Sequence, residues 1–128
     1  MSEYTDYLQE ILAAFGRVEA RRMFGGHGLF HQGLMIGLVA DEVLYLKTDA
    51  VTAPAFEARG LEPFRYARGV RRIALSFHQA PEEIFDDPDE AGAWAARAYE
   101  AALRSASRAR KSRRKRGRAT HGRPGRTL

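Results

Sequence analysis

The segment between Gly28 and Lys47 constrains the fold more than any other part of the chain. Its apolar run, Leu34 to Ala40, is preceded by Gln32-Gly33 and followed by Asp41-Glu42. Two residues are the length of a tight hairpin turn, and glycine readily adopts the positive φ that such turns require. The segment therefore predicts a three-stranded antiparallel meander over residues 28–31, 34–40 and 43–47. Because the middle strand is apolar at nearly every position, we expect it to be covered on both faces.

Helices are predicted on both sides of this meander. Apolar residues three and four apart predict an amphipathic helix over residues 3–15, followed by a short basic connection over residues 17–22. Thr48 or Asp49 can cap a short helix that ends near Ala58. Later, Asp87 as cap and Pro88 at the first position predict a long helix. Its apolar stripe comprises Ala91, Trp94, Ala95, Ala98, Ala102 and, as a further candidate, Ala106.

Two further strands are predicted before the long helix. Residues 64–66 and 72–77 are rich in strand-forming side chains, and Arg68-Gly69 supplies a turn between them. The predicted fold class is therefore α+β. An antiparallel sheet, made of the meander and these two strands, packs with amino-terminal and carboxy-terminal helices in a domain of residues 1–106.

The composition excludes several classes of protein. Without cysteine the chain has no disulfides, no thiolate zinc site and no thiol nucleophile, which fits a reducing compartment. The longest apolar run is far shorter than the roughly 20 residues of a membrane helix, and the first residues lack the basic start of a secretory signal. We expect a cytoplasmic protein that does not bind membranes.

Charge is strongly separated along the chain. Residues 1–103 contain 10 Lys and Arg against 16 Asp and Glu, a net charge of −6, whereas residues 104–128 contain 11 Lys and Arg and no acid, a net charge of +11. We expect residues 107–128 to form a disordered basic tail. Glycines and a proline in its second half predict that any helix stops soon after Lys115.

The tail predicts nucleic-acid binding. Clustered Lys and Arg displace counterions from phosphates, and without aromatic residues the tail offers no base stacking, so the contacts would carry low sequence specificity. A solubilising tail, an acidic protein target and an anionic membrane are the alternatives, the membrane being disfavoured because there is no apolar face. The candidate nucleic-acid-binding residues are Arg108, Arg110, Lys111, Arg113, Arg114, Lys115, Arg116 and Arg118.

The glycine-rich stretch RRMFGGHGLFHQGLMIG, residues 21–37, does not match known phosphate-binding loops. It lacks the Gly-Lys of a P-loop. A dinucleotide site needs the pattern GxGxxG before a helix, whereas this stretch has GxGxxH before a predicted strand. A less specific anion site, formed by backbone amides beside Arg21 and Arg22, is an alternative interpretation. The favoured interpretation is a bend in the chain that requires glycine.

The remaining polar residues predict neither a metal site nor catalysis. His27 and His31 would lie about 13 Å apart on a strand, too far to share one ion. The acidic cluster around Asp87 is explained by helix capping. Ser76 and His78 share a strand face without an evident catalytic partner. We therefore expect no enzyme, no cofactor and no metal.

Tyr45 and Lys47 are predicted to share one face of the third strand of the meander. Because Lys47 lies at the strand end, we expect its charged group to reach water, although pairing with Asp49 or Glu42 is an alternative.

Two motifs in the right order carry a family resemblance. The first motif lies in RRMFGGHGLFHQGLMIGLVADEVLYLKTD, the second in IALSFHQAPEEIFDDPDEAGAWAARAYEAAL, and together they cover about residues 5–105. This pattern resembles the amino-terminal domain of the TfoX/Sxy competence regulators. The residues that carry the first motif are Arg22, Met23, Phe24, Gly25, Gly26, Gly28, Tyr45 and Lys47, with Arg21 as an alternative to Arg22.

The resemblance implies an α+β domain with an antiparallel sheet and no known catalysis or cofactor. Full-length members are described as transcriptional coactivators of DNA-uptake genes that act with the cyclic-AMP receptor protein. Here a basic tail stands where such regulators continue into a second helical domain. We expect a non-enzymatic accessory protein whose body contacts a protein of the transcription machinery. The alternative is a protein-interaction or small-ligand-binding module with a merely solubilising tail, and the sequence leaves the homo-oligomeric state open.

Overall fold

In the described part of the chain, five strands form an antiparallel sheet in chain order, flanked by helices. The computed structural model describes residues 3–23, 25–65 and 76–126, with side chains in the last helix as far as residue 114. The strands are β1 (Glu19–Met23), β2 (Gly26–His31), β3 (Leu34–Ala40), β4 (Val43–Lys47) and β5 (Phe77–Gln79). The helices are α1 (Glu3–Ile11), α2 (Ala53–Glu57) and α3 (Pro88–Arg126), with a 3-10 helix at Glu82–Phe85. The predicted fold class is confirmed.

The meander has the predicted strands and turns. β2, β3 and β4 pair antiparallel in sequence order. Gln32 and Gly33 have φ of 48° and 82°, and Asp41 and Glu42 have φ of 52° and 57°. Two consecutive residues with positive φ form the type of two-residue turn whose twist matches that of the flanking strands. These turns fix the register of the central strands.

β1 corrects one prediction, because residues 17–22 are not a simple connection. Glu19–Met23 pairs antiparallel with β2, and Met23 lies opposite Gly26. The glycine-rich stretch therefore turns one strand into the next. β1 lies at the sheet edge, where both Glu19 and Arg21 are largely exposed, so its composition shows no apolar alternation.

A register shift explains why β3 is apolar throughout. Leu29 pairs with Gly37, but the next residue of β2 pairs with Met35, so Ile36 is an extra residue in β3. Ile36 and Val39 both belong to the main core beneath the helices, whereas Leu38 packs in a second cluster with Phe64 and Phe77. The bulge thus changes the alternation within one strand. Both faces of β3 are covered, as predicted.

α3 docks on the sheet through small residues and one tryptophan. Trp94 is 4% exposed, and its ring packs edge-on against Phe56 at 4.8 Å between centroids. Its indole Nε1 donates a hydrogen bond to Glu90 Oε1 at 3.2 Å. Asp87 caps the helix, since its Oδ1 accepts from the backbone amide of Asp89 at 2.9 Å. The residues on the rest of the stripe are buried alanines: Ala91, Ala95, Ala98, Ala101 and Ala102.

The boundaries of α1 and α2 differ from those predicted. α1 ends at Ile11 and continues only as turns to Phe15. α2 begins at Ala53 because Asp49 Oδ1 accepts from the amides of Val51 and Thr52, both at 3.1 Å, and so holds a turn ahead of the helix.

Part of the predicted fourth and fifth strands falls on residues 66–75. The Arg68-Gly69 turn and most of residues 72–77 therefore lie outside the described residues, as does Phe24. Phe64 is not in a strand, although the neighbouring Pro63 forms an isolated bridge with His78.

The end of α3 corrects another prediction. The helix extends to Arg126, past the glycines and the proline that predicted its end soon after Lys115. Once packed residues have nucleated a helix, each added residue other than proline gains one backbone hydrogen bond, whereas each glycine costs about 1 kcal/mol and the proline about 3 kcal/mol, so these residues weaken the helix without ending it. The extent of the helix does not test the predicted domain boundary at residue 106, which stays a prediction.

The β1–β2 hairpin requires glycine for steric reasons, which gives a test of the fold. A β-carbon at Gly26 would overlap the carbonyl oxygen of Val39, which is backbone and cannot move aside, whereas one at Gly92 in α3 would meet nothing within 4 Å. We expect Gly26→Ala to destabilise the protein by about 1–3 kcal/mol. The matched Gly92→Ala should stabilise it by about 0.5–1 kcal/mol. Urea unfolding measures both, and equal effects of the two substitutions would contradict the described register.

Candidate nucleic-acid interface

Five of the predicted nucleic-acid-binding residues lie on a described, exposed part of α3. Residues 108–114 are all exposed, and α3 contacts β3, β4 and the 3-10 helix of the body. At 1.5 Å per residue, residues 110–126 continue the helix for about 26 Å. Arg108, Arg110, Lys111, Arg113 and Arg114 therefore line the first turns of a basic helical extension. Lys115, Arg116 and Arg118 follow in the same helix, beyond the described side chains.

Three of these basic residues, Arg110, Lys111 and Arg114, occupy the side of α3 opposite its alanine stripe. With about 100° between successive residues, the body-facing stripe that includes Ala98 and Ala102 continues through Ala109 and Ser112. Arg110, Lys111 and Arg114 lie about 120–220° around the helix from Ala98, whereas Arg113 follows the direction of the stripe and Arg108 borders the body beside Lys47. Among the described residues, none of the five forms an ion pair within 4.0 Å. Their charge is therefore offered to solvent and to external ligands.

Arg104 marks the point where α3 is fixed to the body. Its Nε and Nη2 donate to Asp49 Oδ2 at 2.6 Å and Oδ1 at 3.2 Å, a two-point pair with a carboxylate whose side chain is only 6% exposed. The hydrogen bond from Arg104 lowers the pKa of Asp49 to about 2, more than offsetting the rise caused by burial. Because 55 residues separate the partners, no local sequence pattern could have found this contact.

Tyr45 and Lys47 share a face of β4, as predicted. The Tyr45 ring packs against Phe64 at 4.9 Å, and Lys47 Nζ lies 5.2 Å from the ring centroid of Phe77. Lys47 forms no ion pair with any described residue, since the carboxylate of Asp49 is engaged by Arg104. Its pKa is lowered by burial and further by Arg108, while Asp49 opposes the change.

The glycine-rich stretch is built by packing and does not gather cations. Gly25 has φ of +76° in the β1–β2 turn, and a β-carbon at Gly28 would lie 2.5 Å from Met23 Sδ. Arg21 and Arg22 point to opposite faces of β1, and the guanidinium of Arg21 lies 4.5 Å over the ring of Phe30. The two arginines therefore do not converge on an anion.

His31 has a structural environment. Its ring lies 4.7 Å from Phe15 and 4.8 Å from Tyr99, and its Nδ1 donates to the Arg17 carbonyl oxygen at 2.8 Å. In the described part of the chain, no group of three His, Asp or Glu residues could hold a metal ion. Nor do the described helices include one long and apolar enough to cross a membrane.

His78 belongs to a hydroxyl, imidazole and carboxylate arrangement that resembles a catalytic triad in outline only. Its Nδ1 lies 2.9 Å from Thr48 Oγ1, and its Nε2 lies 3.8 Å from Glu57 Oε2. Burial lowers the pKa of His78, while Glu57 opposes the change. Thr48 is only 1% exposed, so its hydroxyl is shielded from solvent. The cluster joins β4, β5 and α2.

The Asp49–Arg104 pair should give stability a specific pH dependence. Folding lowers the pKa of Asp49 from 3.8 to about 2, so its ionised form stabilises the fold fully above about pH 4, and this contribution is lost as the pH falls to 2. We expect Asp49→Asn to lower Tm by several degrees at pH 7 but to match the unmodified protein near pH 2. The control Asp86→Asn alters an exposed carboxylate and should change Tm little. An equal loss at both pH values would contradict the charge-based stabilisation.

Comparison with known proteins agrees with the motifs and the fold. The sequence matches the family model described as the TfoX N-terminal domain over residues 10–102. It is also 29% identical over 82 residues to the DNA transformation protein TfoX1 of Aliivibrio fischeri (strain ATCC 700601 / ES114). That match covers 64% of this chain and 39% of the relative, so the chain corresponds to less than half of the relative's length. The family match spans β1 to β5, α2 and the packed part of α3. The chain therefore belongs to the TfoX N-terminal domain family.

Proposed function

We propose that this protein is a non-enzymatic accessory protein of competence-type regulation, whose α3 extension binds DNA through phosphates. The family and the similarity to a DNA transformation protein support the regulatory part of the proposal. The observation that carries the DNA-binding part is the exposed cationic surface formed by Arg108, Arg110, Lys111, Arg113 and Arg114, none of which has an ion pair with a described residue. The partners that we propose are nucleic acid at this surface and a protein of the transcription machinery at the body.

The charge of the body favours this division of roles. Residues 1–103 carry a net charge of −6, which repels a polyanion, whereas residues 104–128 carry +11. Since residues 104–128 contain no aromatic side chain, base stacking is not offered and contacts go to phosphates. We therefore expect affinity with little preference for sequence. The Asp49–Arg104 pair would hold the extension in one direction relative to the body.

Salt dependence tests this proposal. If about eight basic residues neutralise phosphates, log K for a DNA duplex should fall with log salt concentration at a slope near −7. The double variant Arg110→Gln, Arg114→Gln should reduce the magnitude of the slope by about 2. The control Arg22→Gln, Arg65→Gln removes two exposed arginines from the body and should leave the slope unchanged. Fluorescence anisotropy over a salt series measures each slope.

Truncation gives the decisive outcome. Deleting residues 107–128 should abolish DNA binding while Arg104, Asp49 and the packed stripe of α3 remain. Equal affinity in the truncated protein would contradict the proposal. Absence of DNA retention by the full chain at physiological salt would instead favour the solubilising role of the tail.

A further inference from the structure

A cleft lies where α3 leaves the sheet. Its volume is about 460 Å³, within the range of small-molecule sites. One wall is the face of α3 that continues the docking stripe, and the other is formed by one end of β3, β4 and β5. The lining residues are Leu34, Met35, Lys47, Ser76, Phe77, Ala102, Ser105, Ala106 and Ala109.

The cleft exists because the helix wall consists of small side chains. Ala102, Ala106 and Ala109 recur at spacings of three and four, so they share one face of α3. In the docked part of α3 such alanines pack directly on the sheet, whereas here they line the cleft where β3, β4 and β5 end. Apart from the two serines and Lys47, the described lining residues are apolar.

Lys47 gives this cleft its chemical character. Its side chain is half-buried beside the ring of Phe77, and no described carboxylate lies within ion-pair distance of it. The neighbouring acid, Asp49, is held by Arg104. A half-buried ammonium group without a counter-ion in an apolar site is stabilised by a ligand that brings the missing negative charge.

A second cation lies beside Lys47. An adjoining recess is lined by both Lys47 and Arg108, together with Ser105, which also lines the cleft. Glu57 lies in the same recess, but its side chain is 65% exposed and its Oε2 faces His78. Asp49 also lines this recess, but it is paired with Arg104, so Lys47 and Arg108 are the cations there that no described carboxylate pairs with, while Leu34 and Met35 contribute apolar lining to the cleft.

We propose that the cleft binds a small organic monocarboxylate with an apolar chain, whose carboxylate contacts Lys47 and Arg108 and whose chain lies against Met35, Phe77 and Ala106. A chain of several carbons matches the apolar lining, and the carboxylate supplies the charge that Lys47 lacks. This site shares Arg108 with the proposed DNA-binding surface, but it can be tested separately because it can fill in the absence of nucleic acid.

Octanoate is a suitable probe, with 1-octanol as its neutral counterpart. A protein-observed NMR titration without DNA should show saturable shifts at the amides of Lys47, Phe77 and Ala106 with octanoate. Lys47→Met keeps an unbranched side chain against Phe77 and should weaken octanoate binding by about tenfold or more. The matched control Lys111→Met changes an exposed lysine of α3 and should leave the affinity unchanged.

A second variant tests the site by shape. Ala106→Leu fills the cleft from a half-buried position of α3 without changing charge, and it should also weaken octanoate binding. The proposal would be overturned by equal affinity for octanol and octanoate or by shifts that do not saturate. It would also be overturned if Lys47→Met and Ala106→Leu each bound octanoate with wild-type affinity. The Arg110→Gln, Arg114→Gln variant should bind octanoate normally, which separates this test from that of DNA binding.

Discussion

The close packing of the alanine stripe of α3 on the sheet is the contact on which the rest of the molecule depends. Alanine side chains let the helix backbone approach β3 and β4, and Trp94 fills the space beside Phe56. Such packing uses one side of the helix and leaves the opposite side to solvent. Where the sheet ends, the same stripe has no partner. The cleft and the exposed basic surface both follow from a helix that is longer than the sheet on which it packs.

The Asp49–Arg104 pair adds direction to this packing. It lies one turn before the exposed basic residues and connects α3 to the turn between β4 and α2. Removing a buried carboxylate from water is costly unless hydrogen bonds replace the lost solvation, and Asp49 receives them from Arg104 and from two backbone amides. The same pair engages Asp49, and Glu57, the other acid of the recess beside Lys47, faces His78. The contact thus orients the helix and leaves Lys47 without an ion pair among the described residues.

Local signals predicted the parts of the fold that depend on local geometry. The two-residue turns, the strands of the meander and the Asp87 cap were correct because each needs only a few adjacent residues of suitable conformation. β1 was missed because an exposed edge strand shows no apolar alternation, and its existence depends on the hydrogen bonds that β2 offers. The predicted end of α3 was wrong because glycine and proline weaken a helix without necessarily ending it.

The sequence by itself determined the antiparallel meander, the separation of charge and the family motifs, because turn residues, composition and spacing are properties of the chain alone. Tertiary structure alone decided which charges are available. Arg104 lies within the basic segment but is bound to Asp49, whereas Arg110 and Arg114 remain exposed, and Lys47 is left without a carboxylate in an apolar cleft. Whether a charged side chain is free to bind a ligand depends on which distant groups packing brings within a few ångströms of it. The spacing of Asp49 and Arg104, 55 positions apart, does not reveal that they form a pair.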